Sequence, residues 1–344
     1  MTNFPAVISE KFPQKKIVIV GDLVADQFLH GTINRVSREA PVFILRHDET
    51  ETLAGGAANA AVNVASLGAK AVLIGAVGED LNGTALLEKL RVSNVNCEYI
   101  IASEKIQTTT KVRVLAGQHY APRQQVIRID YENRQAIDRE ILEKLKANLS
   151  AASETADAII ISDYNYGVAS RGIAETAKQI AKDRQIPLLI DSRFRLKDFS
   201  GATTATPNQD EIEQILGADF SEADCAELCR NLGYEALLIT RGNEGMLLSE
   251  KDKLARSFAA IGAKEPIDVT GAGDTVIAVY SLGLACGLGF AESANLANHA
   301  GGIVVMKKGT ASVQKEELLA SIEKHKNTKI IEKITGKLIN SAGN

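Results

Sequence analysis

The sequence predicts an α/β protein whose mainly parallel sheet is covered by helices on both faces. Short segments that are apolar throughout, at 15–22, 71–78 and 156–164, alternate with segments of helical periodicity, at 55–69 and 171–184. Strands buried on both faces read as continuous apolar runs, and parallel strands need helical crossovers between them. The alternation is therefore typical of a doubly wound α/β sheet.

The same alternation continues through the second half of the chain. Strands are predicted at 186–193 and 235–245, and helices at 82–92 and 208–216. The run at 276–291 carries almost no polar side chains, and it predicts a helix that is buried on most of its surface.

Two stretches interrupt this rhythm and predict a small separate sheet. Residues 32–53 contain no helical period, and residues 107–130 alternate polar and apolar side chains like an antiparallel hairpin. We interpret both as a β-sheet inserted into the main domain. Two alternatives stay open: ordinary surface hairpins, or a lid over a site that also exposes sheet for a homodimer contact.

The domain organisation is predicted to be simple. Residues 1–325 form one domain that includes the lid segments, and residues 326–344 form a Lys-rich tail, which we expect to be a fraying, solvated helix. We expect no further catalytic domain after the tail.

Composition excludes several classes of partner. The 344 residues carry a net charge of −4 and no Trp, so neither a basic surface nor aromatic stacking favours nucleic acid, and nothing favours an anionic membrane. The longest apolar run is interrupted by Ser281 and glycines, and it is shorter than the ~20 residues of a membrane span. Four cysteines without a metal-binding pattern, and an N-terminus without a signal layout, predict a cytoplasmic protein with reduced thiols.

Common phosphate-binding loops are not supported. The segment 78–84 has Walker spacing but lacks the Lys before Thr84, and in "GAGDTV" Val276 takes the position of the third glycine of a dinucleotide fingerprint. Nucleotide binding, if present, must use another loop.

The stretch "DVTGAGDT" at 268–275 lies at the start of the predicted buried helix. Free N–H groups and the helix dipole favour an anion at such a terminus, and glycines let a phosphate approach the backbone. Asp274 would repel that phosphate unless it acts on a hydroxyl group that attacks the phosphorus. The alternative is that Asp274 only caps the helix.

Other polar residues follow predicted strands or begin predicted helices, where open α/β sheets bind ligands. Gly55, Gly56 and Asn59 open one helix and suit sugar hydroxyls. Asn208 and Glu211 are three residues apart on one helix face and suit a hydrated magnesium ion. Two further features are Asp22 at the end of the first strand and the glycine-containing turn 240–245, which suits a nucleotide.

Taken in order, these motifs resemble those of the ribokinase-like (PfkB) sugar kinases. The layout is Gly-Gly-x-x-Asn, Asn-x-x-Glu and Asp-x-x-Gly-x-Gly-Asp, and the resemblance covers roughly residues 15–322. The stretches "SREAPVF", "TKVRVL", "SDYNYG" and "DVTGAGDTVIA" are most similar to the heptose 7-phosphate kinase domain of the bifunctional enzymes that make ADP-heptose.

The resemblance implies a ribokinase-like fold and an ATP- and Mg²⁺-dependent sugar kinase. The implied reaction phosphorylates the anomeric hydroxyl of D-glycero-β-D-manno-heptose 7-phosphate. Alternatives are another PfkB kinase acting on fructose, a fructose phosphate or a nucleoside, and a regulator that binds nucleotide or sugar without catalysis.

The resemblance also implies a role for each matching residue. Asp274 would be the catalytic base, with the N–H groups of Gly271, Ala272 and Gly273 as the anion hole. Asn208 and Glu211 would organise Mg²⁺ and the phosphates through water, and Asp268 would lie near a monovalent cation such as K⁺. The nucleotide would contact Thr240, Gly242, Gly245 and Asn298, besides Asn208, Gly271 and Gly273. The sugar would contact Asp22, Gly55, Gly56, Asn59 and Asp163.

Departures from the pattern concern the substrate phosphate. Tyr166 stands where these heptose kinases usually carry Lys, and Arg193 and Arg195 lie in a stretch that usually reads Asp-Pro-Lys. This difference predicts a rearranged phosphate pocket.

Basic residues near the predicted pocket favour a substrate that already carries a phosphate. Lys111 and Arg113 are two residues apart on a strand and share a face. Arg128, Arg38 and Arg193 come from three other segments near the pocket mouth. The alternative is that these five are scattered surface charges.

Overall fold

The computed structural model describes residues 2–118, 123–133, 136–262 and 265–326. The predicted tail therefore lies outside the described residues except for residue 326, and the predicted lid segment 107–130 is described except for residues 119–122.

Thirteen strands are seen in the described ranges. They are β1 (Lys16–Gly21), β2 (Leu23–Val36), β3 (Phe43–Gly56), β4 (Lys70–Gly78), β5 (Ile100–Ser103), β6 (Thr110–Gly117), β7 (Gln124–Tyr131), β8 (Ala158–Asp163), β9 (Leu188–Ser192), β10 (Thr204–Ala205), β11 (Ala236–Thr240), β12 (Met246–Glu250) and β13 (Arg256–Phe258).

The helices include one short turn at the N-terminus and eight longer ones in the described ranges. They are α1 (Phe4–Ala6), α2 (Ala57–Ser66), α3 (Leu81–Val92), α4 (Arg139–Ser153), α5 (Arg171–Arg184), α6 (Gln209–Leu216), α7 (Glu222–Leu232), α8 (Ala272–Ala285) and α9 (Phe290–Val304). Residues 315–326 are also helical.

Nine strands form the main sheet, in the order β13-β12-β11-β10-β9-β8-β1-β4-β5. Every pairing from β11 to β5 is parallel, and only β12 and β13 add antiparallel strands at one edge. The predicted fold class is confirmed. The short strands β10, β12 and β13 and the helices α4 and α9 were not assigned from sequence.

Two apolar clusters cover the two faces of this sheet. Ile17 and Ile19 of β1 point into the cluster that contains α2, α8 and α9, whereas Val18 and Val20 point into the cluster that contains α4, α5 and α7. Helix α8 is buried around most of its circumference, as its apolar run predicts. Its N-terminus is thereby fixed rigidly against the sheet.

The second sheet has four strands in the order β3-β2-β6-β7. The predicted segment 32–53 covers only the outer part of the β2–β3 hairpin, because β2 begins at Leu23, directly after β1, and β3 continues to Gly56. The first four residues of β2 are all buried against the main domain, so they show no alternation, whereas the last three residues are exposed.

No helix in the described part of the chain is long and apolar enough to cross a membrane.

Candidate active site

The candidate site lies where several parallel strands end and α8 begins. Asp22 follows β1, Tyr164 follows β8, and Asp191 is the last residue but one of β9. Because the carboxyl ends of parallel strands meet at one edge of a sheet, these side chains face the same cleft. The four-stranded sheet continues from β1 at this edge.

Asp274 lies in the first turn of α8 with both carboxylate oxygens engaged. Asn59 Nδ2 donates to Oδ2 over 2.9 Å, and the Tyr164 hydroxyl donates to Oδ1 over 2.8 Å. Burial raises the pKa of Asp274 to about 6, against the opposing effect of these two hydrogen bonds and of the charge of Arg193. A carboxylate of this kind is ionised at neutral pH and still basic enough to accept a proton.

Gly271 shapes the turn in front of Asp274. Its φ of 75° lies in the left-handed region, and a side chain there would collide with the Asn59 amide. No side chain caps the α8 terminus, so capping is not the role of Asp274.

The set of free N–H groups in this turn differs from the predicted set of Gly271, Ala272 and Gly273. The Ala272 N–H donates to the Val269 carbonyl over 3.2 Å. The N–H groups of Gly271, Gly273 and Asp274 have no acceptor within the described residues. The turn therefore offers an anion site beside the carboxylate.

A cleft of about 180 Å³ borders the start of α8. Five of the seven residues predicted to contact the nucleotide line it: Thr240, Gly242, Gly245, Gly273 and Asn298. Apolar side chains such as Ile261, Val276 and Val305 complete the wall. Its shape and lining suit a flat aromatic ring joined to phosphates at the α8 terminus.

Asn208 and Glu211 form a reciprocal capping box at the start of α6. Asn208 Oδ1 accepts from the Glu211 N–H over 2.8 Å, and Glu211 Oε2 accepts from the Asn208 N–H over 2.9 Å. Burial raises the pKa of Glu211 to about 7. Glu211 therefore does cap α6, and any contact of its carboxylate with a magnesium ion would be in addition to capping.

Asp191 is a residue that sequence reasoning missed. Burial, and then the charges of Asp274 and Glu211, raise the pKa of Asp191 well above its usual range. These carboxyl groups lie close together at the cleft, and a cation bound there would favour their ionised forms. Within the described residues, however, no three His, Cys, Asp or Glu side chains are close enough to hold a metal without other ligands.

Asp22 and Asp163 have structural partners. Three backbone N–H groups, of Tyr164, Tyr166 and Val168, donate to the Asp22 carboxylate over 2.9–3.0 Å.

Asp163 pairs with the Arg195 guanidinium and accepts from the Ser192 hydroxyl over 2.7 Å. Both carboxylates therefore hold the β8–α5 loop, and that loop presents Tyr164 to the site.

Gly55 lies beside a second carboxylate that sequence reasoning missed, that of Asp26 on β2, and Gly56 lies beside the Asp22 carbonyl. A side chain at Gly55 would approach Asp26 Oδ2 to 2.6 Å, and one at Gly56 would approach the Asp22 carbonyl to 2.7 Å. Asp26 is buried, pairs with Arg113 and accepts from the Thr310 hydroxyl over 2.9 Å. No motif marks Asp26; only the early start of β2 brings it to the cleft.

Of the five basic residues predicted to suit a substrate phosphate, three are either paired with a carboxylate or far out on the hairpin. Arg113 is neutralised by Asp26, Arg128 by Asp130, and Arg38 is exposed at the tip of the β2–β3 hairpin.

Lys111 and Arg193 have no carboxylate partner among the described residues. Lys111 is only 8% exposed, and its Nζ lies 5.7 Å from the centroid of the Tyr164 ring. Burial, and then the charge of Arg193, lower the pKa of Lys111. Such an unpaired cation favours an anionic ligand.

Asp268 is engaged by two backbone N–H groups. Its carboxylate accepts from the N–H groups of Thr270 and Gly309, both over 2.9 Å. It links the segment before α8 to the loop after α9.

The sequence of this chain matches that of a known protein family. The profile of the pfkB family carbohydrate kinases matches residues 14–317. The chain belongs to this family. The predicted family is confirmed, and with it the assignment of the protein as a sugar kinase that transfers a phosphoryl group to an alcohol.

Curated relatives of this pfkB family member are named "Bifunctional protein HldE". The relative from Pasteurella multocida is 38% identical over 325 residues, which is 93% of this chain and 66% of that protein. The relative from Haemophilus influenzae strain Rd is 38% identical over 328 residues, which is 94% of this chain and 67% of that protein. The chain thus spans about two thirds of the length of these relatives.

Solved structures of other kinases share the fold. Ribokinase from Arabidopsis thaliana, solved with ribose and ATP, aligns with a TM-score of 0.66 and 20% identity over 89% of this chain and 98% of that one. Phosphofructokinase-2 from Escherichia coli, solved with potassium, aligns with a TM-score of 0.70 and 16% identity over 89% of this chain and 97% of that one. Sequence motifs and family membership together establish ATP as the expected phosphoryl donor.

Proposed function

We propose that this pfkB family kinase phosphorylates the anomeric hydroxyl of D-glycero-β-D-manno-heptose 7-phosphate, giving the 1,7-bisphosphate and ADP. The observation that carries the proposal is the Asp274 carboxylate beside unpaired N–H groups at the start of α8. Three further observations support heptose 7-phosphate as the substrate. They are the stretches of similar sequence, the relatives named HldE, and the unpaired cations Lys111 and Arg193.

In this proposal the substrate hydroxyl lies between Asp274 and the γ-phosphate. As its oxygen bonds to the γ-phosphorus, its proton moves to Asp274, and the bond to the bridging oxygen of ADP breaks. The N–H groups of Gly271 and Gly273 stabilise the charge on the equatorial oxygens of the phosphoryl group. Thr240, Gly242, Gly245 and Asn298 hold the nucleotide.

The far end of the sugar needs partners for a dianion. Lys111 and Arg193 both place their charged groups over the Tyr164 ring, at 5.7 and 4.3 Å from its centroid. Arg113 contributes through its ion pair with Asp26, which fixes the lid strand β6 against β2. The free charges on Lys111 and Arg193 are therefore the ones that we assign to the substrate phosphate.

Two cations complete the proposal. The carboxylate of Glu211, with Asn208, would hold hydrated Mg²⁺, since Mg²⁺ keeps several waters and is bound by one or two carboxylates and the substrate phosphates. When bound, Mg²⁺ would neutralise charge on the phosphates of ATP. Asp268 would lie near K⁺.

We further propose a homodimer formed through the lid sheet. β7 is an edge strand that is exposed along its whole length, and Val126, Ile127 and Ile129 are 52%, 54% and 44% exposed. An exposed apolar edge strand is a site for pairing with another chain. Ile127→Asp should give monomers in sedimentation experiments, whereas the control Leu254→Asp, at a residue that is 95% exposed elsewhere, should not. An equal effect of both variants would refute the lid interface.

The four cysteines are free thiols, which fits the cytoplasm as the site of action.

The substrate is tested by a screen of sugars and sugar phosphates for ATP-dependent release of ADP, with ³¹P NMR of the product. We expect heptose 7-phosphate to be the best acceptor and the new phosphate to be at the anomeric carbon. Faster phosphorylation of fructose, a fructose phosphate or a nucleoside would replace the heptose by that acceptor. No release of ADP with any acceptor would favour a protein that binds nucleotide or sugar without catalysis.

A further inference from the structure

Tyr164 is the one tyrosine within the described residues whose hydroxyl contacts Asp274. It donates to Oδ1 over 2.8 Å while Asn59 donates to Oδ2 over 2.9 Å, so each carboxylate oxygen has one donor. Each oxygen can accept two hydrogen bonds, so one lone pair on each stays free to take a proton. The two donors therefore fix the plane of the carboxylate and the direction in which it can accept.

The position of Tyr164 is itself strongly determined. Its backbone N–H donates to Asp22 Oδ2 over 2.9 Å, and the next residue, Asn165, turns the chain with a φ of 64°. The guanidinium of Arg193 lies over the ring at 4.3 Å from the centroid, a distance typical of cation–π stacking. Because both the backbone and the ring of Tyr164 are held in place, the position of its hydroxyl is fixed.

The Tyr164 hydroxyl stays protonated and therefore always donates a hydrogen bond. Burial of the ring, and then the charge of Asp274, raise the pKa of Tyr164 well above its usual range, so the phenol stays protonated. A donor that never ionises favours the ionised form of the carboxylate that it contacts.

We propose that Tyr164 is a positioning residue, which orients the Asp274 carboxylate for proton abstraction and keeps it ionised at neutral pH. The inference rests on the proposed role of Asp274 as the base. Tyr164 itself does not take the substrate proton. Its effect on turnover acts through the geometry and the ionisation of Asp274.

Other groups that face Asp274 set the background for this effect. Asn59 donates from α2, and Arg193 brings a positive charge from the segment after β9. Asp26 on β2 brings a negative charge that opposes ionisation, and Asp191 on β9 is a nearby carboxyl whose own pKa is raised by burial and then by the charge of Asp274. Loss of the Tyr164 hydroxyl would leave these groups in place, so the pKa of Asp274 should rise.

The test compares pH profiles of kcat for the wild type, Tyr164→Phe and Tyr234→Phe, with ATP and heptose 7-phosphate or the best acceptor from the screen. Tyr164→Phe should shift the acidic limb upward by about one pH unit, with an unchanged KM for ATP. Tyr234→Phe is the matched control, because it removes a buried hydroxyl in the opposite core cluster, where it donates to the carbonyls of Leu196 and Phe199.

A second variant covers the case in which Tyr164→Phe fails to fold. Replacement of Tyr164 by 3-fluorotyrosine keeps the ring and strengthens the donor, so the acidic limb should move to lower pH. An unshifted limb in either folded variant, or an equal shift in Tyr234→Phe, would overturn the inference. An active Asp274→Asn enzyme would overturn both the base and its positioning residue, whereas an inactive one with an unshifted Tyr164→Phe profile would overturn the positioning role alone.

Discussion

Asp274 shows how one residue joins burial to reactivity. The carboxylate is 2% exposed, yet it accepts only two hydrogen bonds and has no ion pair among the described residues. An isolated carboxyl in such a place would stay protonated, and the donors on Asn59 and Tyr164 bring its pKa back to about 6. At neutral pH it is therefore an ionised base of moderate strength.

The first prediction concerns Asp274→Asn. The amide keeps the shape but cannot take a proton, so kcat should fall by about 10²–10⁴-fold. ATP binding, measured by calorimetry, should be nearly unchanged because the cleft at Thr240 and Asn298 does not include this side chain. A variant with more than half of the wild-type turnover would rule out the base.

The second prediction concerns Glu211→Ala. We expect a higher Mg²⁺ concentration at half-maximal activity, since a carboxylate near the phosphates would be lost. Asp224→Ala is the matched control, because Ser221 and Asp224 form the same capping box at α7. Each variant should lose up to about 1–2 kcal/mol of stability from its cap. A magnesium titration that changes equally in both variants, or in neither, would assign Glu211 to capping alone.

The residues that sequence reasoning missed lack a local pattern. Asp26 lies within a strand of mixed composition, Asp191 within a short apolar strand, and Tyr164 between the last residue of β8 and the turn residue Asn165. Each becomes a site residue only through neighbours that are distant in sequence, such as Thr310, Glu211 and Asp274. Conversely, Gly271 and Asn59 could be predicted because a helix start requires particular backbone and side-chain chemistry.

At the scale of elements, the buried strands and helices were the most predictable. The predicted strand 71–78 and helix 171–184 match β4 and α5 within one residue at either end. The inner part of β2 was missed because a strand that leaves one sheet for another is buried on both faces and loses its alternation. Tertiary packing, not local propensity, decides such a strand.

The third prediction concerns the lid sheet. If β2, β3, β6 and β7 close over bound substrates, their amides should exchange more slowly when sugar and a non-hydrolysable ATP analogue are both present. The distal part of the β2–β3 hairpin should respond most, since it is exposed in the structure. Helix α5, on the other side of the main sheet, is the internal reference. Equal exchange with and without ligands would leave the lid an ordinary surface sheet.

At the scale of the whole molecule, the order of motifs along the chain was sufficient to predict the family. Glycine turns and single polar residues at strand ends are spread over more than 200 residues, and the parallel topology gathers them at one edge. Which charges stay free could not be predicted, because ion pairs such as Arg113–Asp26 depend on the register between β2 and β6.

The fourth prediction concerns those free charges. Lys111→Met should lower the preference for a phosphorylated sugar without changing the affinity for ATP. Lys105→Met is the control, since Lys105 is an exposed lysine that already pairs with Asp138 over 2.9 Å. If both variants keep the wild-type preference, Lys111 does not contact the substrate phosphate.

The central claim is that this kinase acts on a sugar that already carries a phosphate. The most direct measurement is the ratio of kcat/KM for heptose 7-phosphate to that for the unphosphorylated heptose, at saturating ATP and Mg²⁺. We predict a ratio of about 100 or more, equivalent to roughly 2.7 kcal/mol of transition-state binding. A ratio near one would contradict the assignment and favour a kinase for a free sugar.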